Sequence, residues 1–292
     1  MANSIQSMAD LRALHLNLSA WKPGKELGAI ESLAEVKPLE RFAYMSPVIL
    51  WNQPAKPNHD VIESILRKSQ ETLTSLDMSK REFIEHSPES PANVSQKYIF
   101  NSLLSLRLSS FCGVDEACMR SISRAVNLIG LKDLVLTGVD DTCGAFGAHL
   151  ETLFRSEHRT INLRRLVLQK TRPSFNPNDR LPIGDAESTY KFLTTFNTLR
   201  ELYLRYFYLP QGSEDNSIPG SLLQGILAHT NLTILQISSF NFRPGFRRFF
   251  INVSTLEKII NGLSHLEYVQ LLTTGDPVRA VSPLSVNVCL GS

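Results

Sequence analysis

Apolar residues recur along the chain in the order apolar-x-x-apolar-x-apolar, and leucine fills most of those places. The pattern occurs at Leu11, Leu14, Leu16; Leu39, Phe42, Tyr44; Leu73, Leu76, Met78; Leu103, Leu106, Leu108; and Leu131, Leu134, Leu136. It continues at Leu163, Leu166, Leu168; Leu199, Leu202, Leu204; Leu232, Leu235, Ile237; and Leu266, Val269, Leu271. Between first positions the shortest step is 28 residues, from Leu11 to Leu39, and the longest is 36, from Leu163 to Leu199. One such hexamer carries little information. Nine that tile the chain mark an internal repeat, and this period belongs to stacked supersecondary units.

The end of each hexamer alternates apolar and polar, the period of a half-buried strand. Strands are therefore expected near 11–16, 39–44, 73–78, 103–108, 131–136, 163–168, 199–204, 232–237 and 266–271. The intervals read as helices. Asp115 caps a stretch to Ile129 that carries Met119, Ile122 and Val126 at helical spacing. Residues 141–154 place Phe146, Leu150, Leu153 and Phe154 on one stripe. Ser254-Thr-Leu-Glu257 has the form of a capping box, Asp60 to Glu63 repeats that spacing, and Asp185 opens a helix with Tyr190, Phe192 and Leu193. A strand–helix alternation fits parallel strands joined by crossovers, which a doubly wound sheet or a barrel would share. Those folds bury both sheet faces and need continuously apolar strands. Strands polar at alternate sites favour a one-sided sheet, so a solenoid is the expected fold.

These hexamers resemble the leucine-rich-repeat family, in particular the helix-containing repeats of ribonuclease-inhibitor-like proteins and F-box/leucine-rich-repeat substrate receptors. The resemblance spans about residues 5–275, and the degenerate consensus is similar in style to fungal members. It implies an α/β right-handed horseshoe of about nine repeats, with a parallel sheet on its concave face. One solenoid domain over 1–292 is expected, with an irregular tail over 276–292. The family usually carries Asn or Cys three residues after the third apolar position. Here that column reads Ser19, Pro47, Arg81, Phe111, Val139, Thr171, Phe207, Phe240 and Thr274. No asparagine ladder exists, and the phenylalanines suggest an apolar spine instead.

In such a horseshoe the polar positions of the hexamers form columns on the concave face. The central column reads His15, Ala43, Asp77, Arg107, Val135, Val167, Tyr203, Gln236 and Gln270. The column before it includes Asp133, Arg165, Glu201, Ile234 and Tyr268, and the column after it Gln169, Arg205, Ser238 and Leu272. Tyr and Arg are enriched among interface anchors. A partner is therefore expected on Arg107, Arg165, Val167, Glu201, Tyr203, Arg205, Gln236, Tyr268 and Gln270, with Val135, Val167, Ile234 and Leu272 as an exposed apolar floor. Loops over 172–184, 209–220 and 241–252 fall on one rim, the last carrying Phe246, Arg247, Arg248, Phe249 and Phe250.

Charge narrows the partner class. With 30 basic and 28 acidic residues the chain carries a net +2, a balance that gives no sign of nucleic-acid binding. The N-terminus lacks a secretory signal, and no apolar run is long enough to span a membrane. Cys112, Cys118, Cys143 and Cys289 form neither a CxxC pair nor a metal finger and read as reduced thiols inside the cell. The sequons at Asn17, Asn93, Asn231 and Asn252 then read as chance matches. No GxSxG, HExxH, GxxxxGK[ST] or GxGxxG occurs, and His149, His158 and Cys143 lack an orienting third group. No cofactor or metal is expected. The expectation is a non-enzymatic, intracellular protein-binding module, cytoplasmic or nuclear, like the substrate-recognition region of a ubiquitin-ligase receptor. No F-box is visible ahead of the first strand, so a truncated or divergent relative is expected. The alternatives are a standalone scaffold, an extracellular receptor, and an activator of the Ran GTPase-activating type, whose asparagine turns and acidic tail this chain lacks.

Overall fold

The computed structural model describes residues 11–17, 37–45, 59–79, 83, 99–111, 115–139, 144–156, 161–170, 191–207, 218, 220–240, 253–274 and 284–289. The sequence pattern treats 1–292 as one domain. Packing groups the chain as two compact units, residues 1–109 with 120–131, and residues 110–119 with 132–292.

In the first unit lie β1 (Ala13–Asn17), β2 (Arg41–Met45), α1 (His59–Ser69), β3 (Ser75–Ser79) and β4 (Ser105–Ser109). The four strands pair in sequence order and all in parallel, with Leu14 opposite Phe42, Phe42 opposite Leu76, and Leu76 opposite Leu106. Burial alternates along β2, β3 and β4 as the hexamers require. Phe42, Leu76, Met78, Leu106 and Leu108 are buried together with Ile62, Ile65 and Leu66 of α1. Full burial of each such side chain contributes roughly 1.5–3 kcal/mol. The next helix, α2 (Glu116–Ala125), starts behind Asp115, whose Oδ1 accepts the Cys118 N–H at 2.7 Å, a side-chain cap. It stops short of the Ile129 expected for its end because Val126 leaves it for a parallel bridge to Phe100.

The second unit contains β5 (Asp133–Val139), α3 (Gly144–Ser156), β6 (Arg165–Lys170), β7 (Glu201–Phe207), α4 (Gly220–Leu227), β8 (Ile234–Phe240), α5 (Val253–Gly262), β9 (Tyr268–Thr274) and β10 (Leu284–Cys289). Strands β5 to β9 pair in sequence order and in parallel, aligning Leu134, Leu166, Leu202, Leu235 and Val269 as one row. The helical layer runs from α3 to a 3-10 turn over Phe192–Thr195, then to α4 and α5. That turn is the described end of the helix expected after Asp185. The approach is close, since a Cβ on Gly225 of α4 would lie 2.8 Å from Leu193 Cβ. The expectation of an irregular tail is corrected, because β10 lies within it and pairs antiparallel to β9, Leu284 opposite Thr273 and Cys289 opposite Tyr268. Its alternating Leu284, Val286 and Val288 are ordinary strand residues. Among the described residues no helix is long and apolar enough to cross a membrane.

Every strand starts two residues after its hexamer does, and the reason is a repeated main-chain device. Within each unit the carbonyl after a first leucine accepts two N–H groups from the repeat that follows it. Arg12 O accepts from Glu40 and Arg41, and Glu40 O from Thr74 and Ser75. Lys132 O accepts from Arg164 and Arg165, Arg164 O from Arg200 and Glu201, and Arg200 O from Thr233 and Ile234, all within 3.1 Å. Hydroxyls reinforce it where they occur: Thr72 donates to Leu39 O, Thr198 to Leu163 O, and Thr74 to Glu40 O.

Phe111 of the turn column joins an aromatic spine whose other members come from the helical layer. Phe111 (1% exposed) meets Phe146 of α3 edge-on at 5.4 Å, Phe146 meets Phe192 at 5.8 Å, and Phe192 stacks on Phe196. The side chains of Phe207 and Phe240 lie outside the described residues. Beside Phe111, Gly138 is skipped by the pairing of β5 with β6, which passes from Thr137 to Val139. This bulge holds Gly138 at φ +77°, and a Cβ there would lie 3.0 Å from Ser110 Cα. Gly138→Ala is expected to cost about 1–3 kcal/mol through left-handed strain and that backbone contact. Urea unfolding checks it, and an unchanged midpoint would contradict it.

Candidate binding face

On the outward side of the second unit the polar positions of β6 to β9 form one connected cluster. Period-2 alternation brings Glu201, Tyr203 and Arg205 to the same face of β7. Parallel register then sets Arg165 beside Glu201, Tyr203 beside Gln236, and Gln236 beside Gln270. The Tyr203 hydroxyl donates to Glu201 Oε2 at 3.0 Å, and the same oxygen lies 3.2 Å from Arg165 Nε. The latter contact is electrostatic rather than an aligned hydrogen bond, for the shielded Arg165 Nε has no hydrogen-bond partner. Both Arg165 and Arg205 place their guanidinium carbon near the Tyr203 ring, at 5.4 and 5.7 Å from its centroid.

Arg205 Nη2 makes a long contact of 3.5 Å with Gln236 Oε1, and Gln236 Nε2 donates to Gln270 Oε1 at 2.6 Å. Hydrogen bonding thus runs across three strands. Burial, then the hydrogen bond and charge of Glu201, raises the Tyr203 pKa above its ordinary value, while the two arginines oppose the rise. The phenol therefore stays protonated and keeps donating. Each cation–π contact contributes about 0.5–1 kcal/mol at a partly exposed site, so these large side chains are ordered before any partner arrives.

The structure brings Arg165, Glu201, Tyr203, Arg205, Gln236 and Gln270 together, with half-buried Tyr268 beside Ile234 in register. Arg107 belongs to the first unit and pairs with Asp77 at 3.4 Å. Burial raises the Asp77 pKa, and Arg107 and His15 pull it back down. Val167 corrects the expectation. With Val135 it was to floor an exposed patch, yet they are 4% and 6% exposed. Val167 stands in register between Val135, itself buried, and the larger Tyr203. Ile234 is half-buried, and the Leu272 side chain lies outside the described residues, as do the loops over 172–184 and 241–252 and nearly all of 209–220.

Of the residues weighed for catalysis, only His149 and Glu151 fall among the described residues. His149 lies on α3, where Glu151 pairs with Arg155 at 2.8 Å and with Lys191 at 3.8 Å. Cys143, Glu157 and His158 lie outside the described residues. Among the described residues no cluster of His, Cys, Asp or Glu is arranged to hold a metal. No protein-family model matches the chain, and no curated protein matches it in sequence.

Proposed function

We propose that the chain is a non-enzymatic protein-recognition module of the leucine-rich-repeat type, binding its partner on the outward sheet face of β6 to β9. The observation that carries this reading is the ordered Arg165–Tyr203–Arg205 stack, tied to Glu201 on one side and to the Gln236–Gln270 pair on the other. Tyrosine and arginine give large contact area with both apolar and hydrogen-bonding character. Their prior ordering lowers the entropy lost on association. The closest functional analogy is the substrate-recognition region of an F-box/leucine-rich-repeat receptor, acting in the cytoplasm or nucleus.

Affinity capture with the wild-type chain and with Tyr203→Ala/Arg205→Ala tests the reading. A specific partner is expected to be lost from the variant, at a cost of about 2 kcal/mol or more for a central anchor, while thermal unfolding stays cooperative. A capture profile indifferent to both changes removes the proposed face.

A further inference from the structure

The main-chain device that links successive repeats also aligns the side chains of the residues it uses. In the second unit those residues are Lys132, Arg164, Arg200, Thr233 and Glu267, joined carbonyl to N–H with each bond at 2.7–2.9 Å. They stand one residue ahead of β5, β6, β7, β8 and β9, in a line across the sheet. Neighbouring strands are roughly 4.8 Å apart, and the three cations on adjacent rungs are all exposed.

Like charges set side by side across strands repel and are usually avoided. The first unit shows the common solution at the equivalent place, where Arg12 pairs with Glu40 at 3.1 Å. Lys132, Arg164 and Arg200 have no carboxylate within salt-bridge distance among the described residues. The adjoining row alternates in sign, Asp133, Arg165 and Glu201, and its Glu201 is already engaged by Arg165 and Tyr203. Three aligned positive charges therefore face solvent at one edge of the binding face.

We infer that this row is the docking strip for a short acidic segment of the protein partner, laid across the strands with its carboxylates on Lys132, Arg164 and Arg200. The inference rests on the protein-recognition reading above and gives that partner a chemistry. Charge complementarity fixes the sign of the ligand, and the row itself fixes its length. After three cations the line turns neutral at Thr233 and negative at exposed Glu267. A long polyanion such as a nucleic acid backbone would run into that carboxylate, whereas a cluster of about three acidic side chains ends before it.

Anisotropy of a labelled hexaglutamate peptide tests the strip, with a labelled oligodeoxythymidine of equal charge as competitor class. The wild type is expected to bind the peptide at about 50 mM salt and to weaken at about 200 mM. Each exposed charge pair contributes a factor of about two, so Lys132→Gln/Arg164→Gln/Arg200→Gln should weaken binding about tenfold. Its melting temperature should not fall, since the substitution relieves repulsion. Thr233→Lys, which lengthens the row, should tighten binding. Equal binding by wild type and the triple variant, or no binding by the wild type, overturns the inference. Tighter binding of the oligonucleotide through the same three residues also overturns it and assigns the row to nucleic acid. Should the peptide fail while partner capture still depends on Tyr203 and Arg205, the strip alone falls and the recognition face stands.

Discussion

Phe192→Ala is expected to destabilise the second unit by about 3–5 kcal/mol, the largest effect of any single change considered for this protein. Phe192 is fully buried and occupies the middle of the aromatic spine, 5.8 Å from Phe146 and 6.3 Å from Phe196, centroid to centroid. Truncation removes its transfer free energy and leaves a cavity that cannot close readily. One wall is the 3-10 turn itself, and α3 and α4 pack against that turn from either side. Edge-to-face and stacked ring pairs add about 0.5–1.5 kcal/mol each beyond the area they bury. Chemical denaturation measures the effect as a lower midpoint at constant slope, and Phe192→Leu should recover more than half of the loss. A loss below about 1 kcal/mol for the alanine variant would mean that the spine is not a packed element.

Much of this architecture was legible because burial and sequence share one period. Leu106, Leu166, Leu202 and Leu235 are buried at the places the hexamers assign, and a one-residue slip would turn every one of them to solvent. The strand starts were displaced by two residues. A first leucine such as Leu199 is buried at a turn whose hydrogen bonds go to the preceding repeat, and hydrophobicity alone cannot distinguish that from the start of a strand.

The binding face was legible residue by residue but not as a network. The column pattern names Arg165, Tyr203 and Gln236, while only the register shows that Glu201 joins Arg165 to Tyr203. Val167 was misjudged because exposure depends on neighbours in other strands, 32 and 36 residues away along the sequence. The same non-locality hides the row of Lys132, Arg164 and Arg200. In sequence Lys132 and Arg200 are single cations after a leucine, and Arg164 is the first of an Arg–Arg pair. Net charge gives no hint of them, since it sums over the whole chain and carries no register.

Acid should weaken the fold through one residue, His229. Three places before the first leucine of a repeat the chain carries Phe100, Leu128, Phe196 and Leu263, all buried; the equivalent place before Leu232 carries His229, which is 0% exposed. Its ring lies 4.8 Å from that of Phe196, and neither ring nitrogen reaches a hydrogen-bond partner. Buried Ser69, by contrast, accepts the Leu39 N–H at 2.9 Å. Burial pushes the His229 pKa down from 6.5 to about 4, and nearby backbone groups of Asn197 and Leu193 oppose the fall. The unfolded chain therefore takes up a proton as pH falls through 6.5, while the folded chain keeps the ring neutral until about 4. Stability from the neutral ring is complete above 6.5 and is lost progressively between those values, by about 3 kcal/mol in all. His229→Leu supplies the residue type found at 128 and 263, removes two buried nitrogens without hydrogen-bond partners, and forfeits the ring contact with Phe196 and the influence of the Asn197 and Leu193 backbone. It should be more stable than the wild type by about 1 kcal/mol at pH 7 and by more at pH 5, so that the two unfolding curves separate as pH falls. Parallel pH profiles for the two proteins between pH 7 and pH 4 would show that the imidazole is not the group that senses acid.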